Sequence, residues 1–311
     1  MSSSLHTLNN DNKLNIFQRV LWMIFNYINN KFLPNFSNIN IKQFNPIINN
    51  DDWNNIGAKS SPSRAFSDLF WLKIDWKALG KELKDVNILD TGCGNGDYFK
   101  KLNAFSNNSI HKYCGIDIGE NKNWDSVKQE FLNTEFKVVD SKKLIGYIPK
   151  DTNIFISQSA IEHFDNDLMY FSQIKDFINQ TKNNVVQIHI FPSAACLKKY
   201  LWHGVRQYTP RTISKIIDIF DNDNSYSVLY KLGGGESNKL HFNYITKPLW
   251  TEKIDYRETK ADEYFNLLKE SMTKDLMDNS EPSFYALVIH SNFKNKIFEN
   301  MPSLNMDPST N

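Results

Sequence analysis

The sequence predicts an α/β protein built on a seven-stranded, mostly parallel sheet with helices on both faces. From Val86 onward, short apolar runs alternate with stretches at helical spacing, which is typical of strand–helix–strand units. A loop with three glycines follows the first of these runs. Acidic residues stand at the ends of three successive predicted strands, where such sheets bind their ligands.

The elements follow one another in a regular order. Helical stretches separate the first five predicted strands, and a helical insertion near 238–280 separates the last two. The predicted strands are 86–90, 113–118, 136–139, 153–158, 184–190, 226–234 and 284–293. We therefore divide the chain into an N-terminal helical extension (1–60), a main domain (61–300) and a polar tail (301–311) that is predicted to be disordered.

Two helix starts are marked by their capping residues. In "SPSRAFSDLFW", Ser61 or Ser63 can cap a helix whose apolar residues recur at helical spacing. Further on, Thr209 and Pro210 have the pattern of a cap and a first helical position.

Composition narrows the classes of function. The chain has 311 residues, of which 41% are hydrophobic and 23% charged, and its formal net charge is +1. This near-neutral charge argues against a nucleic-acid partner, which usually requires a basic surface. The three cysteines form no CxxC pair, which argues against a zinc site or a disulfide framework and favours a reducing compartment. No secretory signal is visible, so we expect a cytoplasmic protein.

The stretch "NIFQRVLWMIFNYINNKFL" predicts an amphipathic helix near the N-terminus. One interpretation is that it packs on the main domain or on a second subunit of an oligomer. The other is that it docks on a membrane surface or a membrane-bound assembly. The first is favoured, because the polar face is rich in Asn and poor in Lys and Arg.

The glycine loop lies in "ILDTGCGNGDY". Gly92, Gly94 and Gly96 allow positive φ and a close approach of the backbone to a ligand. Their spacing is GxGxG, which differs from the GxGxxG of dinucleotide-binding loops. Asp90 precedes the loop at the end of its strand, and the helix that follows offers positive potential at its N-terminus.

Two further acids end the next two predicted strands. Asp117 lies in "GIDIG" and Asp140 in "VVDS". A carboxylate at the end of the second strand can accept both hydroxyls of a ribose. The alternatives are that Asp117 caps the following helix and that Asp140 belongs to a plain turn.

Four motifs follow one another along the chain, each at the end of a predicted strand: "ILDTGCGNG", "GIDIG", "VVDS" and "ISQSAIEHF". In this order and spacing they resemble the successive motifs of class I S-adenosylmethionine (SAM)-dependent methyltransferases. The resemblance covers roughly 80–195 closely, and the strand count extends it to about 293. It implies a Rossmann-like fold, methyl-transfer activity and SAM as the cofactor.

The resemblance also implies roles for the acids and the glycine loop. The loop shapes the site around the amino-acid part of the cofactor, and Asp90 binds the ammonium group, directly or through water. Asp117 holds the ribose hydroxyls. SAM carries a cationic ammonium and a sulfonium, so carboxylates attract it. The same carboxylates would repel the pyrophosphate of a dinucleotide.

Further contacts are implied at the ends of the third and fourth predicted strands. Asp140 accepts a hydrogen bond from the adenine amino group, with Ser141 beside it. Gln158 or its neighbour Ser159 faces the methionine moiety.

The region after the fourth predicted strand bears on the acceptor. An Asn- or Asp-Pro-Pro-aromatic element, usual in enzymes that methylate base amines or glutamine amides, is absent. Glu162 and His163 stand in its place, and His163 either orients the substrate or packs on the next helix. Glu162, His163 and His189 could converge on a divalent ion, but no short-range ligand spacing supports this, so no metal is predicted.

The loop "WHGVRQYT" after the fifth predicted strand is dense in hydrogen-bond donors and aromatic surface, which favours an acceptor pocket. It contributes Trp202, His203, Arg206 and Tyr208. Arg206 either clamps a phosphate or carboxylate of the acceptor or forms a salt bridge with a nearby acid.

The preferred function is O-methylation of a small molecule or of a sugar or glycan unit by in-line methyl transfer. A hydroxyl acceptor needs a general base, and we assign it first to His203, with His189 and His163 as alternatives. "SPSRAFSDLFW" and "YLWHGVRQYT" resemble methyltransferase-like proteins of bacterial surface-polysaccharide gene clusters. Two alternatives stay open: a methyltransferase acting on nucleic acid or protein, and a non-catalytic SAM-binding scaffold or regulatory subunit.

Overall fold

A computed structural model describes residues 15–196, 206, 208–222, 224–299 and 301. Within these residues a single sheet has eight strands in the order β1-β7-β8-β6-β5-β2-β3-β4. All neighbours are parallel except β8, which is antiparallel to β6 and β7. The strands are β1 (Ile41–Gln43), β2 (Val86–Thr91), β3 (Ile110–Asp117), β4 (Thr134–Val138), β5 (Ile154–Gln158), β6 (Val185–Pro192), β7 (Ser225–Leu232) and β8 (Phe284–Ser291).

Helices connect and cover these strands. Short 3₁₀ turns occur at Ser141–Tyr147, Ile161–His163 and Ala194–Cys196, and a π-helical turn at Phe242–Thr246. The α-helices are α1 (Ile16–Lys31), α2 (Asn50–Asn55), α3 (Pro62–Leu72), α4 (Trp76–Leu83), α5 (Tyr98–Phe105), α6 (Asn123–Glu130), α7 (Asp167–Thr181), α8 (Pro210–Ile219), α9 (Gly235–His241), α10 (Lys247–Thr251), α11 (Tyr256–Thr259) and α12 (Ala261–Met277).

The mostly parallel α/β fold is confirmed, but the predicted number of seven strands is wrong. The additional strand, β1, has three residues and pairs with the edge strand β7, with Ile41 opposite Leu229. It is too short and too exposed to show an alternating pattern in the sequence. Phe44, directly after it, is buried in the core, so part of the predicted extension belongs to the sheet.

Alternation along the strands creates two cores. Ile88 and Ile156 face a cluster with helices α3, α4, α5 and α12, whereas Leu89 and Phe155 face a cluster with α7 and α8. Side chains of a strand point alternately to opposite faces, so one strand serves both cores. Helices on both faces are thereby confirmed.

The predicted helix caps are confirmed as well. Ser61 caps α3, with its side chain accepting from the N–H of Arg64. Thr209 caps α8, with Pro210 at the first helical position. Helices α9 to α12 lie between β7 and β8, where the sequence predicts a helical insertion.

The predicted N-terminal helix is present as α1. Trp22 is buried, whereas Ile16, Phe17, Val20 and Ile24 are exposed. Among the described residues, no helix combines the length and the apolar character needed to cross a membrane. Both interpretations of this helix stay predictions, and residues 302–311 of the predicted tail lie outside the described residues.

The order of the strands positions the site. From β2 the chain continues to β3 on one side, and β5 occupies the other side. The carboxyl ends of β2 and β5 therefore flank a point where the strand order reverses, which is where open α/β sheets bind their ligands.

Candidate functional site

The glycine loop after β2 has the backbone geometry that only glycine adopts easily. Gly92 has φ +80° and Gly94 has φ +56°. A Cβ on Gly92 would lie 2.4 Å from the Cβ of Ala160, whereas one on Gly94 would meet nothing within 4 Å. Gly96 is required for both reasons, because its φ is +80° and a Cβ there would lie 2.7 Å from the ring of Phe136.

Asp117, at the end of β3, fastens this loop. One of its carboxylate oxygens accepts from the N–H of Gly94 at 2.8 Å, and the other accepts from the N–H of Ile118 at 2.7 Å. Each carboxylate oxygen has two lone-pair positions, so both can still accept from a ligand. Asp117 is half-buried and lines a cavity, which leaves those positions reachable.

This wider cavity has a volume of about 550 Å³ and lies against the carboxyl ends of β2, β3 and β5. Asp140 begins the 3₁₀ turn Ser141–Tyr147 by accepting from the N–H of Lys142 at 2.9 Å. Lys142 forms an ion pair with Asp165 at 2.5 Å. The lining includes Asp117, Asp140, Ser141, Lys142, His163 and Asp165.

A narrower cavity of about 370 Å³ shares Gly92 and lies on the other side of the glycine loop. Its charged and polar lining includes Arg64, Asp90, Asp97, Tyr98, Lys101 and Gln158. Asp117 and Asp140 line the wider cavity and Asp90 lines the narrower one, so each of the three predicted strand-end acids lines one of two cavities that share Gly92. The predicted cofactor residues thus lie close together, apart from Gly96, which does not line either cavity.

Asp90 is a buried carboxylate without a basic partner in contact with it among the described residues. Its side chain accepts from the hydroxyl of Tyr113 at 2.6 Å. Burial raises the pKa of Asp90 to about 7, although the hydrogen bond from Tyr113 and the charge of Arg64 act in the opposite direction. A bound cation would favour the ionised carboxylate, which fits the proposed contact with an ammonium group.

Gln158 lies at the end of β5. Its Oε1 accepts from the indole N–H of Trp71 at 2.8 Å. Its Nε2 is buried and has no hydrogen-bond partner among the described residues. The next residue, Ser159, has φ +53° and lines the wider cavity, an uncommon backbone conformation for a residue other than glycine.

Arg206 and Tyr208 are buried outside both cavities. Arg206 donates to the carbonyl oxygens of Ile161 and Phe164 at 3.2 and 3.0 Å, and it forms an ion pair with Asp167 at 3.7 Å. Tyr208 donates to the carboxylate of Asp167 at 2.7 Å. The salt bridge, one of the two interpretations of Arg206, is present, and the cluster holds the segment after β5 in place.

Three further predicted residues have different surroundings. His163 is exposed and lines the wider cavity. Glu162 is buried and lines neither cavity, and its carbonyl oxygen accepts from the N–H of Arg206. His203 and Trp202 lie outside the described residues.

His189 is fully buried in the core beside α7. Its Nδ1 lies 2.7 Å from the hydroxyl of Ser157, and its ring packs edge-on against Tyr170 and Phe171. Burial lowers the pKa of His189 to about 3. Neither cavity is lined by this residue, so the geometry offers it no contact with a ligand there.

No group of three or more His, Cys, Asp or Glu side chains that could hold a metal ion occurs in the part of the chain that the structure describes.

The sequence analysis did not identify Arg64, Trp71 and Tyr113 as site residues. Arg64 stands in the first turn of α3, and the cap at Ser61 is the sequence feature that fixes that turn. Trp71 and Tyr113 read as ordinary core aromatics. The packing of α3 on the sheet brings the indole of Trp71 to Gln158, and the pairing of β3 with β2 brings the hydroxyl of Tyr113 to Asp90.

The comparisons with known proteins give structural matches alone. No protein-family model and no curated protein matches the chain. Similar solved structures include a plantazolicin methyltransferase described in complex with S-adenosylhomocysteine (SAH) and a desmethyl plantazolicin analogue, with 15% identity over 75% of this chain and 86% of that chain and a TM-score of 0.44. A SAM-dependent methyltransferase from Archaeoglobus fulgidus has 15% identity over 69% of this chain and 90% of that chain, with a TM-score of 0.41.

Another similar structure is a SAM-dependent methyltransferase from Mesorhizobium loti, with 14% identity over 69% of this chain and 95% of that chain and a TM-score of 0.40. Identities and TM-scores this low do not assign a function. The strand order and the two cores establish the fold.

Proposed function

We propose that the protein is a SAM-dependent methyltransferase. The observation that carries the proposal is the placement of Asp90, Asp117 and Asp140 on two cavities that share Gly92. The wider cavity would take the adenosine part of SAM, and the narrower one its amino-acid part.

The residues of the site fit this cofactor. Asp117 keeps acceptor positions for two ribose hydroxyls, and Asp140 keeps one carboxylate oxygen for the adenine amino group, with Ser141 beside it. Asp90 would be the counter-ion of the ammonium group. The open space in front of Gly94 allows the backbone to approach the ligand.

When bound, SAM supplies an electrophilic methyl group on a sulfonium. The chain's own task is then to orient an acceptor behind that methyl group and to exclude water. We infer a hydroxyl on a small molecule or sugar unit as the acceptor, because the sequence lacks the Asn-Pro-Pro-aromatic element and its net charge is only +1. Such a hydroxyl requires a general base.

His203 stays the proposed general base. Residues 197–205 lie outside the described part of the chain, and the next residue, Arg206, donates to the carbonyl oxygens of Ile161 and Glu162 in the 3₁₀ turn that follows β5. His163 lines the wider cavity with the acids and is the second choice. His189 is not proposed as the general base, because it is fully buried and burial lowers its pKa to about 3.

Cofactor binding is tested by titration calorimetry with SAH. Wild-type protein is expected to bind SAH, and Asp117→Ala is expected to weaken binding about 100-fold or more, because two charge-assisted hydrogen bonds to the ribose are lost. The control is Asp125→Ala, which removes an exposed carboxylate of α6 that pairs with Lys128. An unchanged SAH affinity of Asp117→Ala would overturn the assignment of the wider cavity.

Catalysis is tested separately, because a scaffold would bind SAM without using it. The assay is a single-turnover incubation with methyl-labelled SAM and a panel of hydroxylated small molecules and sugars. His203→Ala is expected to retain SAH affinity within about 2-fold and to lose at least about 100-fold in turnover. Binding of SAM without any transfer to the panel would favour a non-catalytic SAM-binding scaffold. Undiminished turnover of His203→Ala would show that His203 is not the general base.

A further inference from the structure

Helix α1 exposes an apolar stripe. Six of its apolar side chains are between 37% and 70% exposed, and helical spacing places them within an arc of about 120°. We call them the α1 stripe: Ile16, Phe17, Val20, Ile24, Tyr27 and Ile28. Trp22, which is buried, lies on the opposite side of the helix. The stripe therefore faces away from the domain, whereas a surface helix normally turns its apolar side toward the core.

The helix is held on the domain by its other side. It packs against α8 and against the 3₁₀ turn Ala194–Cys196. Asn15 and Gln18 form a capping box that fixes its first turn. The 3₁₀ turn follows β6, which is parallel to β5, so α1 lies beside the edge of the sheet that carries the candidate site. The packing on the domain that the sequence favours thus leaves the α1 stripe uncovered.

The apolar surface continues beyond the end of the helix. The exposed ring of Phe32 lies edge-on to the ring of Tyr27, with 6.2 Å between their centres. At about 200 Å² for a fully exposed side chain of this size, the α1 stripe and Phe32 together expose roughly 800 Å². The largest apolar patch on a typical monomeric protein is about 300–600 Å². A partner that removes this surface from water would therefore bind favourably.

The charge around the stripe distinguishes the kinds of partner. Residues 12–50 contain four basic residues and no acidic one, although the whole chain has a net charge of only +1. Arg211 and Lys215 of α8 add to this charge, because they lie over the exposed ring of Phe36, 4.2 and 4.9 Å from its centre. Aromatic and aliphatic surface beside net positive charge is the combination that binds an anionic lipid surface.

A second copy of the chain suits this surface less well. Pairing two α1 helices would bring together two segments that carry four positive charges each, and neither segment has an acid to offer the other. An anionic bilayer attracts the same charges. We propose that the α1 stripe docks on the surface of a bilayer that contains anionic phospholipid, with the helix lying in the plane of the interface. Docking does not depend on the assignment of SAM, and its test does not involve the cofactor.

Flotation of the full chain with lipid vesicles tests the docking. Vesicles of phosphatidylcholine with about 30% phosphatidylserine should bind the protein at least about 10-fold more tightly than vesicles of phosphatidylcholine alone. Raising the salt concentration to about 0.5 M should weaken binding to the anionic vesicles, because salt screens the attraction between charges. Protein that does not float with the anionic vesicles would overturn the proposal.

The variant Ile24→Glu tests the α1 stripe itself. It places a carboxylate in the middle of the stripe and should lower the affinity for anionic vesicles at least about 10-fold. Because Ile24 is exposed, the fold should be unchanged, which circular dichroism checks. The matched control is Leu132→Glu, which adds the same charge at an exposed apolar side chain between α6 and β4. If both variants bind the vesicles equally, the docking surface is not the α1 stripe.

The contribution of charge is tested by Lys215→Gln, which should lower the affinity for anionic vesicles about 5-fold and leave that for neutral vesicles unchanged. Its control is Lys274→Gln, on the exposed side of α12, which should bind as the wild-type protein does. Equal losses in the two variants would contradict the proposed role of the charge beside Phe36.

Sedimentation velocity without lipid tests the second copy as the partner. The wild-type protein is expected to be a monomer. A dimer that Ile24→Glu dissociates would assign the α1 stripe to a second copy of the chain and overturn the proposal.

Discussion

Two regions of this protein carry the same kinds of side chains beyond the ends of the strands, but they use them differently. The cofactor region has Asp90, Asp117 and Asp140 on its cavities. The second region, which we call the Asp167 cluster, consists of Asp167, Arg206 and Tyr208. The sequence analysis predicted the three acids of the first region and Arg206 and Tyr208 of the second as parts of a site, yet of the two regions only the first lines the wider and narrower cavities.

The difference lies in whether the polar atoms still have room for a ligand. In the Asp167 cluster, one carboxylate oxygen accepts from Tyr208 and faces Arg206, and the other accepts from the N–H of Leu168. Asp167 and Arg206 are 1% and 3% exposed. In the cofactor region the acids keep acceptor positions that face open space. Residue type therefore indicates which contacts a side chain can make. Hydrogen-bonding capacity that the fold leaves unused indicates that the side chain belongs to a binding site.

The largest effect on stability is expected from Arg206→Met. This change leaves the buried carboxylate of Asp167 without its cation, which should lower the free energy of unfolding by about 3–5 kcal/mol. Urea denaturation followed by circular dichroism measures it. Lys239→Met, which breaks an exposed ion pair with Glu236, is the control and should leave stability nearly unchanged. A normal stability of Arg206→Met would break the comparison.

An effect of comparable size, which accumulates over about three pH units, is expected from the ionisation of Asp90. The folded protein holds a proton on Asp90 up to about pH 7, whereas the unfolded chain loses it near the ordinary pKa of 3.8. The free energy of unfolding should therefore fall as pH rises from about 4 to 7, by up to about 1.4 kcal/mol per pH unit from this group. Asp90→Asn should remove that contribution. Denaturation of both proteins across this pH range is the measurement.

SAH binding should depend on pH in the opposite sense, because an ammonium group requires the ionised carboxylate of Asp90. Calorimetry should show wild-type affinity rising with pH up to about 7, and Asp90→Asn should bind weakly without this dependence. A wild-type affinity that does not vary with pH would contradict the assignment of Asp90 to the ammonium group.

The smallest effect on stability is expected from Asp117→Ala, the variant that should lose SAH. Asp117 is only half-buried and binds two backbone N–H groups near the surface, so its removal should change the free energy of unfolding by less than about 1 kcal/mol. The two variants together separate a side chain that acts in ligand binding, Asp117, from one that stabilises the fold, Arg206. A loss as large as that of Arg206→Met would erase the distinction.

Local patterns in the sequence determined much of this protein. Apolar runs and helical spacing predicted seven of the eight strands, and the capping residues predicted the starts of α3 and α8. The glycine loop and the strand ends pointed to Asp90, Asp117 and Asp140, which line the two cavities. These features depend on neighbours a few positions apart, since backbone conformation, side-chain periodicity and the common edge of parallel strands follow from local order. The edge strand β1 was missed because its three residues, none of them buried, are too few to show a periodic pattern.

Only the tertiary structure decided which of those polar residues stay available. That His189 is buried, that Arg206 is paired with Asp167, and that Trp71 turns the amide of Gln158 all depend on contacts between residues tens of positions apart. The residue type determines which chemical group a side chain carries. Its desolvation and its remaining hydrogen-bonding capacity depend on the residues that the fold packs against it.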